Sequence, residues 1–126
     1  MVAPIATQKD QAALDYARTL SNVPWCDDYE KMVSGMLYSC MSPELLESRN
    51  RARRIAQRFN TWVPDDALSA VEVGERRIEM IRGLFGKIGA DSYVEPNLQV
   101  DYGCNISVGK NFYANFKYAP SAVLIW

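Results

Sequence analysis

The sequence predicts an α+β chain in which a helical N-terminal cap runs into the start of a short β-solenoid. Three observations predict this. Residues up to about 89 place apolar side chains at helical spacing between recognisable helix caps. From Val94 onward the apolar side chains return every six residues instead. The residues between them are small or turn-forming. At 126 residues the whole is one domain, with a cap over 1–89 and a solenoid over 90–126, because neither half has enough apolar residues for its own core.

The first helix is predicted from Thr7, as N-cap, to about Leu20, with Ala13, Ala17 and Leu20 at helical spacing, Leu14 and Tyr16 beside them, and Asn22 and Pro24 ending it. A second is predicted to start at Asp27 and Asp28, whose charges suit a helix N-terminus, and to carry Met32, Val33 and Met36 until Gly35 weakens its end. The third has the clearest start: Ser42 as N-cap, Pro43 at the first helical position and Glu44 in the first turn. Leu45, Ala52, Ile55, Ala56 and Phe59 then recur at helical intervals until Asn60 and Pro64. A fourth is predicted from Asp65 and Asp66 through Leu68, Val71, Ile78, Ile81, Leu84 and Phe85, with a break at Gly74 and a stop at Gly86 and Gly89.

Beyond the helices, Val94, Val100, Ile106, Phe112 and Tyr118 stand six residues apart, and Leu124 extends the series. Leu98, Cys104 and Phe116 form a second set with the same beat. Gly103, Asn105, Gly109, Asn111 and Asn115 lie between. Six fits neither an α-helix nor a free strand, but it fits a solenoid of short strands joined by tight turns. A small β-meander is the plainer alternative. An open solenoid end exposes apolar edges, so Val123, Leu124, Ile125 and Trp126 are predicted to be buried under the helices or in a homo-oligomeric contact.

Composition removes several functions. Lys plus Arg number 14 against 15 Asp plus Glu, so no polyanionic partner is called for. The third helix does carry Arg49, Arg51, Arg53, Arg54 and Arg58. A solvated face paired with Glu44, Glu47 and nearby acids explains them best, ahead of small-substrate recognition, with nucleic acid a distant third. There is no histidine, which removes imidazole catalysis and histidine metal sites from this sequence. Cys26, Cys40 and Cys104 are not in CxxC spacing and read as reduced, small buried hydrophobes of a cytoplasmic chain. The first ten residues have no apolar leader segment, and no run is long enough for a membrane span.

Specific blocks then carry a resemblance. They are Glu30-Lys31-Met32-Val33-Ser34-Gly35-Met36-Leu37-Tyr38, Arg49-Asn50-Arg51-Ala52-Arg53, Tyr93-Val94-Glu95-Pro96, Asp101-Tyr102-Gly103-Cys104-Asn105-Ile106, and Gly109 through Phe116. In this order, over about Tyr29 to Phe116, they resemble the N-terminal portion of the maltose/galactoside O-acetyltransferase family of hexapeptide-repeat acyltransferases. The resemblance implies a left-handed parallel β-helix under a helical cap, trimers with sites between neighbouring β-helices, and acetyl-CoA-dependent transfer to a sugar hydroxyl. It places Arg49, Asp101, Tyr113 and Asn115 at substrate-binding positions of the acceptor pocket. Their chemistry suits a sugar: a guanidinium fork, two side chains that bind vicinal hydroxyls, and a flat ring with a polar tip. Plainer roles stand beside these. Arg49 would pair with Glu47 or Asp101, Asn115 would hold a turn, and Tyr113 would pack.

The sequence also departs from that family. Ser39 and Cys40 stand near the position of an acceptor-binding acid in the galactoside branch. After Phe116 the resemblance stops, and the family's catalytic histidine and coenzyme A-binding coils have no counterpart. The expectation is a truncated family protein without acetyl transfer of its own, with no catalytic, cofactor-binding or metal residue assigned. Acetyl-CoA is the family's cofactor and is not assigned to this chain. The expected partners are a sugar-like small molecule and further copies of the chain, with no nucleic acid and no membrane. One alternative is a short protein reusing the fold as a small-molecule-binding module or a non-acetylating enzyme of isomerase or cyclase type. Another is a complete acetyltransferase formed with a partner chain that supplies the base.

Overall fold

A computed structural model describes residues 4–115 as four helices followed by four two-residue strands. Helix α1 (Gln11–Ala17) starts later than predicted. Asp10, not Thr7, is its N-cap, with Oδ1 accepting from the amides of Ala12 and Ala13 at 2.9 and 3.2 Å. The residues ahead of it are engaged elsewhere. The Ala6 amide donates to the Gly35 carbonyl, the Asp10 amide donates to Ser34 Oγ, and Lys9 Nζ sits 2.6 Å from both Asp27 and Glu30. These contacts strap the segment over helix α2 (Asp27–Val33). Lys31 and Lys9 together hold the Asp27 carboxyl down at about 2. Cys26 caps α2, its Sγ accepting from the Tyr29 amide at 3.4 Å.

Helix α3 (Pro43–Thr61) begins where Ser42 and Pro43 predict, although the Ser42 hydroxyl makes no cap hydrogen bond. Its last turn ends on a clamp the sequence did not announce. Asn60 Nδ2 donates to the Leu98 carbonyl at 2.8 Å, and Asn60 Oδ1 accepts from the Leu98 amide at 2.7 Å. A helix side chain thus gives an extended residue the pairing that a neighbouring strand would give. Helix α4 (Ala70–Arg82) starts at a capping box between Ser69 and Glu72, not at Asp65 and Asp66. Asp65 instead closes the preceding turn by accepting from the Ala67 amide. Gly74 does not break α4: a Cβ there would lie 3.2 Å from the Tyr93 ring, so glycine serves the approach of the following strand segment. Val71, expected on the apolar side, is 70% exposed because it lies in the first turn, ahead of the packed part of the helix.

The strands are β1 (Lys87–Ile88), β2 (Tyr93–Val94), β3 (Ser107–Val108) and β4 (Tyr113–Ala114). Strands β1 and β3 pair in parallel, as do β2 and β4, with Ile88 opposite Val108 and Val94 opposite Ala114. The step from β1 to β2 and from β3 to β4 is six residues, as the sequence beat requires. One full circuit, however, takes twenty residues, two more than three hexapeptides. The added pair lies between β2 and β3. The strict series Val94, Val100, Ile106, Phe112 therefore does not stack residue on residue. Val94 is buried, and the other three pack half-buried against the same core. Asp91 and Asn111, also twenty apart, both sit at φ 57, so each circuit turns its first corner on the same left-handed residue. Phe116, Tyr118, Leu124 and the apolar run Val123 to Trp126 lie outside the described residues.

The main core joins both halves: Ala52, Phe59 and Ile81 from the helices meet Leu84, Phe85, Val94, Leu98 and Val108. A second cluster sets Ala17, Tyr29, Leu45 and Cys104 together. The chain enters the coil through a tight passage, where Gly86 donates its amide to the Ile106 carbonyl and its carbonyl accepts from the Ser21 amide. A Cβ on Gly86 would lie 2.0 Å from the Cys104 carbonyl oxygen, whereas one on Gly109 would meet nothing within 4 Å. We therefore expect Gly86→Ala to destabilise the fold by roughly 2 kcal/mol or more, and Gly109→Ala to cost well under about 1 kcal/mol. Urea denaturation of both variants checks this, and equal midpoints would contradict the packing.

Candidate functional site

The four residues expected to bind substrate fall into two groups. Arg49 projects from α3 towards the loop between β2 and β3. Its Nη1 donates to the Tyr102 hydroxyl at 2.5 Å, its Nη2 donates to the Cys40 carbonyl at 2.6 Å, and its guanidinium lies over the Tyr102 ring at 5.5 Å. It pairs with neither Glu47 nor Asp101. Glu47 is taken by Arg54 at 2.6 Å, while Asp101 Oδ1 lies 3.9 Å from Arg53. That last pair is largely exposed and holds Asp101 only loosely. Burial raises the Tyr102 hydroxyl above its ordinary range even though Arg49 pulls the other way, so Tyr102 stays a neutral acceptor for Arg49. Arg49 thereby fixes the 40–41 loop, the helix and the coil at one point, with Asp101 adjacent in sequence to Tyr102.

The second group stands on the paired strands. Tyr113 on β4 is 58% exposed and stacks on Tyr93 of β2, with centroids 6.1 Å apart and planes at 17°. Its hydroxyl donates to Glu95 Oε1 at 3.3 Å. Partial desolvation and the Glu95 carboxylate both raise the Tyr113 pKa, so the ring keeps its proton as a donor. Asn115 follows β4, exposed, and its side chain makes no hydrogen bond to the described residues. It does not hold the turn through a described partner. No hydrogen bond or ion pair among the described residues joins the Arg49 group to the Tyr113 group.

Tyr102, Tyr93 and Glu95 are the residues that the sequence reading missed. A signal for two of them exists. Gly89 to Glu95 and Gly109 to Asn115 are the same stretch of successive circuits, so Tyr113 and Asn115 sit over Tyr93 and Glu95. The twenty-residue spacing of the two stretches is the signal that pairs them.

The arginine-rich helix resolves largely into surface contacts. Arg54 pairs with Glu47, Arg53 with Asp101, and Arg51 donates to Asn22 Oδ1 at 3.3 Å. The cysteines correct the expectation of three buried hydrophobes. Cys104 is buried, Cys26 is half-buried as a helix cap, and Cys40 is exposed, with its carbonyl accepting from Arg49.

Residues 31–89 match the family described as the maltose acetyltransferase hexapeptide capping motif. The sophorolipid acetyltransferase of Starmerella bombicola is 32% identical over 122 residues, covering 93% of this chain and 47% of that protein. A solved galactoside acetyltransferase in complex with coenzyme A superimposes with a TM-score of 0.59 at 33% identity, covering 73% of this chain and 42% of that one. A hexapeptide-repeat acetyltransferase of Vibrio cholerae, solved with acetyl coenzyme A, gives 0.52 at 26% identity over 70% and 46%. The chain spans less than half the length of each of these proteins. No helix among the described residues is long and apolar enough to cross a membrane.

Thiol chemistry reports on this geometry. Burial pushes the Cys104 thiol up to about 11 from an ordinary 9.0. Tyr29, fully buried with its hydroxyl donating to Asn105 Oδ1, moves up for the same reason. Both groups ionise more easily unfolded than folded. Stability is therefore intact below the ordinary thiol range and falls as pH rises towards the folded value. A thiol reagent near neutral pH is expected to modify Cys40 promptly and Cys104 only after unfolding. The urea midpoint is expected to drop between about pH 8.5 and pH 10.5. Prompt labelling of Cys104, identified by peptide mass, would contradict its burial.

Proposed function

The chain belongs to the maltose/galactoside O-acetyltransferase family, and on that premise we propose that it forms the acceptor-side portion of an acetyl-CoA-dependent sugar O-acetyltransferase. Helices α1–α4 act as the cap, and the twenty-residue circuits are the start of a left-handed parallel β-helix. The observation that carries this reading is the Arg49 junction. One guanidinium ties the cap helix to Tyr102 of the coil and to the 40–41 loop, which fixes the cap over the coil beside Asp101. A cap held this way presents donors and acceptors at a boundary where a small polyol can lie.

In this proposal Arg49 positions the pocket wall, Asp101 and Asn115 accept and donate to vicinal hydroxyls, and the exposed face of Tyr113 supports the apolar side of a pyranose. Stacking on Tyr93 and the bond to Glu95 keep that ring in one orientation. The two groups share no hydrogen bond among the described residues, and the site is proposed to be completed where copies of the chain assemble side by side in a homo-oligomer of cytoplasmic chains.

The acetyl step is a different matter. A sugar hydroxyl needs a general base that works near neutral pH, and these 126 residues contain no histidine. Nothing in the described coil, with its two-residue strands, is assigned to acetyl-CoA. We therefore propose that the 126 residues bind the acceptor and do not by themselves transfer acetyl.

Two measurements test this. Purified chain incubated with acetyl-CoA and a panel of neutral sugars is expected to release coenzyme A no faster than a no-protein control. Turnover above that background would overturn the inactive part of the reading. Asn115→Ala and Tyr113→Ala are each expected to weaken sugar binding by about tenfold, a loss of roughly 1.4 kcal/mol, without lowering the melting temperature. Unchanged sugar affinity in both would remove these residues from the site.

A further inference from the structure

A recess lies on the cap that neither Arg49 nor Tyr113 lines. It is a cleft of about 590 Å³ between the 22–25 loop and the first half of α3. Val23, Pro24, Trp25 and Pro43 form its apolar surface. Trp25 is 43% exposed, although its ring is held in place. The Tyr29 ring meets it edge-on at 5.4 Å, and the Arg18 guanidinium lies 5.9 Å from its centroid. The loop that carries it is also fixed. Asn22 adopts φ 65 and donates from Nδ2 to the carbonyls of Arg82 and Phe85 at 3.3 and 3.1 Å, while its Oδ1 accepts from Arg51. The 22–25 loop precedes the 31–89 capping segment, and the proposed acceptor residues do not line the cleft.

Around the apolar surface stand Glu44, Glu47, Ser48 and Arg51. They supply acceptors and donors side by side. Their charges nearly cancel, since Glu47 is paired with Arg54, which leaves Glu44 and Arg51 as opposite charges on the α3 wall of the cleft. The chemistry selects a ligand class. A hydrocarbon would strip water from the Glu44 carboxylate for no hydrogen bond in return. A cation would meet Arg18 and Arg51, and an anion would meet Glu44 and Glu47. A neutral ring with one apolar face and a rim of hydroxyls satisfies both the indole and the polar edge.

We propose that this cleft is a carbohydrate-binding site, in which a neutral pyranose of an oligosaccharide stacks on Trp25 and bonds through its hydroxyls to Glu44 and Arg51. The site does not rest on acetyl transfer or on the acceptor pocket. It gives the cap a hold on a longer glycan.

The test follows the Trp25 indole N–H by nitrogen-15 NMR on the full chain, assigned with Trp25→Phe, during titration with maltose, lactose and cellobiose. A saturable shift with a dissociation constant on the order of 1 mM is expected for at least one of them. Trp25→Ala and Glu44→Ala are each expected to weaken that binding at least about fivefold, measured by calorimetry, with circular dichroism and melting temperature unchanged. Glu44→Ala keeps the test open if Trp25→Ala fails to fold. Asn115→Ala is expected to leave the Trp25 shift intact. The proposal is overturned if no sugar moves the Trp25 signal, if glucuronate or choline moves it as strongly, or if Asn115→Ala abolishes it. The last result would keep the acceptor reading and remove only this second site.

Discussion

The described structure depends on one shared apolar core. A coil made of two-residue strands cannot cover its own first circuit, because each circuit of a solenoid buries itself only against a neighbour. Here the missing neighbour is helical. Phe59 from α3 and Ile81 from α4, both fully buried, fill the end of the coil against Val94, Leu98 and Val108. Burial of each such side chain is worth roughly 1.5–3 kcal/mol, more than the strand pairs can supply. The described helices and coil therefore share one core, and residues borne by either are positioned by both.

Two polar devices sharpen that packing. Asn60 pairs with both backbone groups of Leu98, so the coil face that has no strand partner is still satisfied. Arg49 does the equivalent at the 40–41 loop and Tyr102. Both side chains come from α3, which makes that helix the element that sets the cap's angle on the coil. A shift of α3 by even part of a turn would break both, and with them the placement of Asp101.

The helices were legible because capping and periodicity act locally. Ser42 with Pro43 fixed the start of α3, and Leu45, Ala52, Ala56 and Phe59 are buried as their spacing requires. The errors came where tertiary contacts override local preference. Thr7 lost the first cap to Asp10 because its segment is strapped to α2, and Gly74 stays helical because Tyr93 needs the space. The six-residue beat recurs in the steps from β1 to β2 and from β3 to β4, but the register of a full circuit was not legible. Two added residues between β2 and β3 shift every later position, and only the paired left-handed corners at Asp91 and Asn111 reveal it. For the candidate site, residue types were readable and partners were not. The plainer alternative for Arg49 was a carboxylate partner, but it holds two neutral oxygens, contacts made across 53 and 9 residues of sequence.

The protonation shifts of the described residues run in one direction. Catalytic acids and bases work when their environment moves them towards neutral pH. The shifts here run outward. Lys31 and Lys9 drive Asp27 down to about 2, and the Ser69 backbone and hydroxyl bonds lower Glu72. Burial drives Cys104 up to about 11 and raises Tyr29 and Tyr102. Tyr113 rises as well, so it remains a hydroxyl that donates and not a phenolate that accepts. Each of these groups is locked more firmly in its resting protonation state by the fold. Such groups hold geometry, form fixed hydrogen bonds and recognise hydroxyls. A group moved towards neutral pH would need the opposite environment: burial without a partner for a carboxyl, or a cation beside a thiol or phenol.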